Sequence, residues 1–163
     1  CTTAAAGGAF GESEILHAVG CAALRAPTSL ATWAPQSLVN TLWAFAAVAA
    51  REPQGFVPAV ARALADAAEV WSPKHIPNVA WALATLRHHD EELLAANSIA
   101  AMVRAPELTL QGLANVAWSR ASLLTRDEAL FSALARAVLR RLPEELPGAL
   151  EEAAEVAPGV APP

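Results

Sequence analysis

WSPKHIPNVAWALATLR, residues 71–87, decides how the chain is read, because it occurs in three versions. Upstream, residues 33–49 read WAPQSLVNTLWAFAAVA, and downstream, residues 108–124 read LTLQGLANVAWSRASLL. The shared pattern is an aromatic residue or Leu, two residues, Gln or Lys, three residues, Asn, two residues, Trp. Asn40, Asn78 and Asn115 set the phase, as do Trp43, Trp81 and Trp118, at spacings of 38 and 37 residues. A fixed period in this range marks an architecture of stacked helical modules, in which no module buries its apolar face alone.

Composition agrees with an all-α fold. The chain has 163 residues, 55% of them hydrophobic and 17% charged, with no Tyr. Ala and Leu dominate and β-branched residues are few, which favours helix over strand. The net charge of −5 is unevenly spread. Five of the 16 acids (Glu144, Glu145, Glu151, Glu152 and Glu155) follow Leu142, so residues 1–141 carry 11 acids and 11 bases. A neutral body with an acidic tail does not announce nucleic-acid binding through bulk charge. Cys1 and Cys21 suggest neither a disulfide framework nor a metal site, and a reducing compartment is the simplest expectation. The longest wholly apolar run, 42–50, is far too short to span a membrane. A chain that begins with Cys is expected to be a processed form or a fragment, any targeting peptide already removed.

The pattern divides the chain into an N-terminal extension (1–11), a helical-repeat region (12–142) and an acidic, Pro-rich C-terminal helix and tail (143–163). The repeat region comprises a partial module at 12–32 and full modules at 33–70, 71–107 and 108–142. Glu12–Arg25 has apolar residues at 15, 16, 19, 23 and 24, an amphipathic helix that reads as the second half of an incomplete leading module. First helices start near Pro35 and Pro73, where the missing N–H costs nothing, and after Thr109, an N-cap; Ser72 is expected to cap the second copy. Trp33 with Leu38, Trp71 with Ile76, and Leu108 with Leu113 form hydrophobic staples. Pro77 makes the second copy start late or bend. Second helices are expected over 53–70, 90–103 and 127–142, the last opened by a capping box at Thr125–Glu128. A break at Pro143 follows, and 147–156, which lacks the Asn and the Trp, is expected to be either a degenerate capping first helix or a packing extension.

With positions counted from Pro35, Pro73 and Leu110, positions 4, 5, 7, 8, 11, 12 and 14 form the apolar arc of each first helix. The remaining stripe reads Gln36, Ser37, Asn40, Ala44 and Ala47; Lys74, His75, Asn78, Ala82 and Thr85; Gln111, Gly112, Asn115, Ser119 and Ser122. In a stack these equivalents line one continuous surface. The Asn column is either a structural amide or a contact common to every module; the varying positions, Gln36, Lys74 and Gln111 with Ser37, His75 and Gly112, are those able to discriminate a ligand. The Trp column borders the stripe and is expected to be core, its neighbours at positions 5 and 12 being apolar.

The helical pair, with [W/L]-x-P-Q-x-L-x-N-x-x-W-A-x-A in its first helix, resembles the octotricopeptide repeat, also found with RAP-domain proteins. The resemblance covers roughly residues 12–142 and rests on Pro35-Gln36, Asn40 and Trp43-Ala44; Pro73, Asn78 and Trp81-Ala82; and Gln111, Asn115 and Trp118. It implies an α-solenoid of antiparallel helix pairs with a repeat of about 38 residues. It also implies an organelle interior (mitochondrial matrix or plastid stroma, reached by import) and binding of single-stranded RNA in RNA maturation, translation or ribosome assembly. The third copy departs from the pattern at Leu110 and Ser119-Arg120, and Arg120 stands where the other copies place core residues, so it is expected to be exposed or paired with a partner. No RAP-like domain is expected within these 163 residues.

No catalytic constellation is present, and no cofactor, metal or small-molecule substrate is implied. His88-His89-Asp90-Glu91 spans a helix end, a turn and a helix start; His17 and Cys21 share a helix face, but two ligands do not make a metal site. Two functions remain. One is RNA binding (rRNA or mRNA) through the stripe, with Arg51, Arg87, Arg120, Arg140 and Arg141 as phosphate or partner contacts. Stacking at ~1–3 kcal/mol per base over three modules gives roughly 3–9 kcal/mol before ordering costs, too little to select one transcript alone. RNA contact therefore belongs in a larger assembly with protein subunits, such as a mitochondrial or plastid ribosome. The alternative is a purely structural scaffold in a respiratory or photosynthetic complex.

Overall fold

A computed structural model describes residues 11–25, 30–49 and 52–156, with side chains to Leu142. The described residues are all-α, with seven α-helices and no strand: α1 Glu12–Arg25, α2 Pro35–Ala47, α3 Phe56–Asp66, α4 His75–Leu86, α5 Glu91–Arg104, α6 Leu110–Ser122 and α7 Glu128–Val156. Short 3₁₀ turns at Leu30–Thr32, Ala68–Val70 and Ala105–Glu107 each precede a staple residue.

Two layers result. α4 packs between α2 and α6, and α5 packs between α3 and α7, while α2 meets α3, α4 meets α5 and α6 meets α7. The helices do this because their apolar arcs have no other cover. Leu38, Leu42, Phe45, Phe56, Val60, Leu64, Ile76, Val79, Leu83, Leu93, Leu113, Val116 and Leu130 are buried in one continuous core. The staples close it at the helix starts, with Trp71 and Leu108 each 2% exposed. At the α6 side, Ala114 and Ala121 are exposed, whereas the equivalent Val39 and Ala46 of α2 are buried. That face of α2 is covered by α4, and among the described residues no further first helix covers α6. α1 sits close on the other side: a Cβ on Gly20 would lie 2.9 Å from Pro53 Cγ and 3.1 Å from Phe45 Cζ, so the hydrogen is what lets α1 approach.

Helix ends repeat as well. Ala49, Arg87 and Leu124, at intervals of 38 and 37 residues, all have positive φ, at 48°, 52° and 55°. After α4, Arg87 N–H donates to Ala84 O and His88 N–H to Leu83 O; after α6, Leu124 N–H donates to Ala121 O and Thr125 N–H to Arg120 O. These are Schellman closures, which satisfy the terminal carbonyls but require a left-handed residue. Asp90 and Asp127 then cap α5 and α7, accepting from Leu93 N–H at 2.9 Å and Leu130 N–H at 3.0 Å.

Several local expectations are corrected. Ser72 does not cap α4: the turn continues to Lys74, α4 begins at His75, and the Ser72 N–H is taken by the His75 ring. Thr125 does not open a capping box; its hydroxyl donates to Arg120 O, and Asp127 holds the cap. α7 runs unbroken through Pro143 and Pro147 to Val156. Each Pro removes one backbone hydrogen bond, and the flanking Arg, Leu, Glu and Ala are strong helix formers, so the helix survives. Cys21 is disulfide-bonded, which counts against the reducing compartment expected from the cysteine spacing; Cys1 lies outside the described residues.

The left-handed closures carry strain that a glycine relieves. Leu124 is 90% exposed and loses no packing on truncation. Relief of ~1–2 kcal/mol, set against ~0.5–1 kcal/mol for a looser unfolded chain, gives a net gain of about 0.5–1 kcal/mol for Leu124→Gly. A urea titration should show a raised midpoint with unchanged slope; a lowered midpoint contradicts the assignment.

Candidate nucleic-acid interface

The candidate surface lies on α2, α4 and α6. At 3.6 residues per turn, Gln36, Asn40 and Trp43 fall within about 60° of arc, as do Lys74, Asn78 and Trp81, and Gln111, Asn115 and Trp118. Gln36, Ser37, Asn40, Lys74 and Gln111 are exposed, and Asn78 and Asn115 are half-buried. The indoles are not core. Trp43 is 45% and Trp118 51% exposed, and Trp81 is half-buried. The apolar neighbours that suggested burial belong to the adjoining arc, while position 9 lies at its edge.

Trp43 and Trp81 meet at a tilt, ring centroids 5.9 Å apart and planes inclined by 34°. Aromatic pairs at such separations contribute about 0.5–1.5 kcal/mol beyond area burial. Stacked layers repeat at ~3.4 Å, so a base inserted between two rings needs roughly 7 Å. The Trp43–Trp81 gap is too narrow, which leaves the outer ring faces and the space toward Trp118 for a planar ligand.

A hydrogen-bond chain ties the two neighbouring helices under these rings. Ser72 N–H donates to His75 Nδ1 at 3.1 Å. Nδ1 is therefore unprotonated, and Nε2–H donates to Gln36 Oε1 at 3.0 Å. Gln36 Nε2 in turn donates to Asn40 Oδ1 at 2.7 Å. The chain fixes His75 as one neutral tautomer and engages Asn40 through its Oδ1, on a residue that is itself exposed. Asn78 and Asn115 make no side-chain hydrogen bond among the described residues, so these two amides are not bridging helix ends.

Other stripe members are moved inward. His75 is 7% exposed and Ser119 1% exposed, so neither faces a ligand. Ser119 Oγ donates to Asn115 O at 2.6 Å. With Ala44 and Ala82 at the same position, Ser119 is a small residue at the seam where first helices approach one another. Gly112 is buried beside α4 as well, where a Cβ would meet Pro77 Cγ at an ordinary contact distance of 3.6 Å.

The arginines divide similarly. Arg87 and Arg140 are exposed, and Arg51 lies outside the described residues. Arg120 is buried, 2% exposed, with Nη2 donating to Leu94 O at 2.6 Å and to Asn97 Oδ1 at 3.2 Å. Asn97 completes the link by donating to Ile76 O at 2.8 Å. Arg120 stays inside because α5 supplies those acceptors, which overturns its reading as an exposed or partner-facing residue. Arg141 is also engaged internally, with Leu108 O and Pro106 O. Arg104, 37 residues earlier, donates likewise to Trp71 O and pairs with Glu107 at 3.3 Å. Arg104, at the end of α5, and Arg141, midway along α7, each tie a second helix to the residue that precedes the first helix of its own module. Their matched spacing was a visible sign of that role.

Among the described residues no group of three or more His, Cys, Asp or Glu could hold a metal ion, and no helix is long and apolar enough to cross a membrane. No protein-family model, curated protein or solved structure matches the chain.

Burial lowers the His75 pKa from its ordinary value of 6.5. The unfolded chain thus binds the proton more readily, and the His75 contribution to stability, complete above pH 6.5, is lost as pH falls below that value. Protonation also removes the acceptor that Ser72 N–H requires. The unfolding free energy of the wild type should therefore drop more steeply than that of His75→Gln between about pH 7 and about pH 5. Parallel curves would contradict the buried neutral tautomer.

Proposed function

We propose that the chain is an octotricopeptide-like α-solenoid of antiparallel helix pairs, repeating at about 38 residues, that contacts single-stranded RNA within a larger organellar assembly. A mitochondrial or plastid ribosome, where rRNA or mRNA and protein subunits meet, is the setting this reading fits best. The observation that carries it is the column of exposed Trp43 and Trp118 with half-buried Trp81 between them, beside the exposed Gln36, Asn40, Lys74 and Gln111. Indoles stack on any base, and amides bond to base edges, so the surface offers both elements of single-strand recognition. With Lys74 as the one cation of the stripe, counterion release contributes little, which is why the binding belongs inside an assembly. The exposed Arg87 and Arg140 are left for phosphate.

A scaffold role has its own support. Val70, Ile99, Val103 and Leu139, on or beside the second-helix layer, are 61–74% exposed, and exposed apolar groups of this kind suit burial by protein subunits. The two readings use different layers, α2, α4 and α6 for RNA and α3, α5 and α7 for protein, and one subunit can serve both.

Titration of single-stranded RNA oligomers should quench tryptophan fluorescence at low salt. Trp43→Ala and Trp118→Ala should each weaken binding by about 1–3 kcal/mol while leaving the helical circular dichroism intact. RNA affinity that is absent, or indifferent to both changes, leaves the scaffold reading in its place.

A further inference from the structure

Arg141-Leu142-Pro143-Glu144 stands 37 residues after Arg104-Ala105-Pro106-Glu107. In the earlier copy α5 ends at Arg104, a 3₁₀ turn takes Ala105–Glu107, and α6 starts at Leu110. In the later copy Arg141 keeps the role of Arg104, donating to Leu108 O as Arg104 does to Trp71 O, but the helix does not stop. At that contact α7 has already reached the start of α6, and it continues for the fourteen residues 143–156, about 21 Å at 1.5 Å per residue. Residues 147–156 therefore lie beyond α6 rather than along it. In sequence phase they are nevertheless a fourth first helix. Pro147 follows Leu110 by 37 residues and counts as position 1. Leu150, Ala153 and Ala154 then fall at positions 4, 7 and 8 of the apolar arc. Ala149 falls at position 3, where His75 and Gly112 each meet the preceding first helix. Glu151 falls at position 5, on the side where α2 and α4 each receive the next helix, and an acid there suits the polar outer face of a capping module.

The place such a helix would fill is open. Ala114 and Ala121 of α6 are exposed, whereas Val39, Ala46 and Ala84 are buried under a following first helix. Trp118, beside them, is 51% exposed. A chain with an unbroken α7 cannot lay its own residues 147–156 along its own α6. We propose that a second copy does so: two chains exchange their α7 extensions, and residues 147–156 of each cover the α6 face of the other. The exchange is reciprocal, so it closes as a two-fold dimer. It repeats, with a helix of the other copy, the α2–α4 and α4–α6 seams that each chain already forms twice. The straight passage through Pro143 is what carries the extension away from its own body and makes it available to a partner. The dimer uses the uncovered side of α6 and does not rest on the RNA reading.

The test is sedimentation velocity of the full chain over a dilution series. The wild type should be a dimer that dissociates on dilution. Ala121→Glu and Leu150→Glu each place a charge in the exchanged contact and should raise the dissociation constant at least about tenfold. Helical circular dichroism should be unchanged in Ala121→Glu, because Ala121 is exposed in the single chain. Mixing the two variants should restore a dimer tighter than either variant forms alone, since the intact extension of the first meets the intact α6 of the second. A wild type that is monomeric throughout, a dimer indifferent to either substitution, or a mixture no tighter than its components would each overturn the exchange. A monomeric wild type whose Ala121 amide resonance shifts in Leu150→Glu would give the α6 face to the chain's own extension, bent at Pro143, and would overturn it as well.

Discussion

The close approach of α4 to both α2 and α6 is the constraint from which the rest follows. It requires small side chains at one position of each first helix, met by Ala44, Ala82 and Ser119. That seam aligns equivalent residues of successive helices. Alignment brings Trp43 within stacking distance of Trp81 and lets His75 reach Gln36 across 39 residues of sequence. A bulky residue at the seam would separate the indoles and break the amide chain together, so the surface chemistry depends on the packing beneath it.

The second layer is held differently. Its helices are fastened to the first by groups that satisfy backbone carbonyls: Arg104 on Trp71, Arg141 on Leu108, Asn97 on Ile76 and Arg120 on Leu94. Hydrogen bonds from charged donors to buried carbonyls contribute about 1.5–3 kcal/mol where they are well formed. They also specify which turn of one helix faces which turn of the next, something apolar contact alone does not do. Arg120 is the extreme case, a cation at a position occupied by Phe45 and Leu83 in the preceding modules. Replacing an apolar core residue by a cation demands polar neighbours, and Asn97 on α5 is the compensating change.

What could be read from sequence was local or periodic. The staples, the Thr109 cap, the late start of α4 and the boundaries of the first helices depend on residues within one turn of each other. The misreadings involve partners distant in sequence. Arg120 looked exposed because its acceptors lie 23 and 26 residues away on another helix. His75 looked available because Gln36 is 39 residues upstream. The apolar neighbours at positions 5 and 12 point the Trp column to the core, yet position 9 lies at the edge of the arc, where Trp43 and Trp118 remain about half exposed. α7 was divided at Pro143 because proline usually ends a helix, whereas the helix formers around it outweigh a single missing bond. Two polar residues inside apolar arcs, Asn97 and Arg120, were visible in the sequence and together were a sign that each served the other.

The central claim is that neighbouring first helices align so that residues 38 positions apart become spatial neighbours. Exciton coupling between indoles reports this directly, because it requires two rings at close, fixed geometry. The circular dichroism of the wild type should contain a couplet that vanishes equally in Trp43→Phe and Trp81→Phe and persists in Trp118→Phe. A spectrum without a couplet, or one that survives both substitutions, contradicts the alignment and the surface built on it.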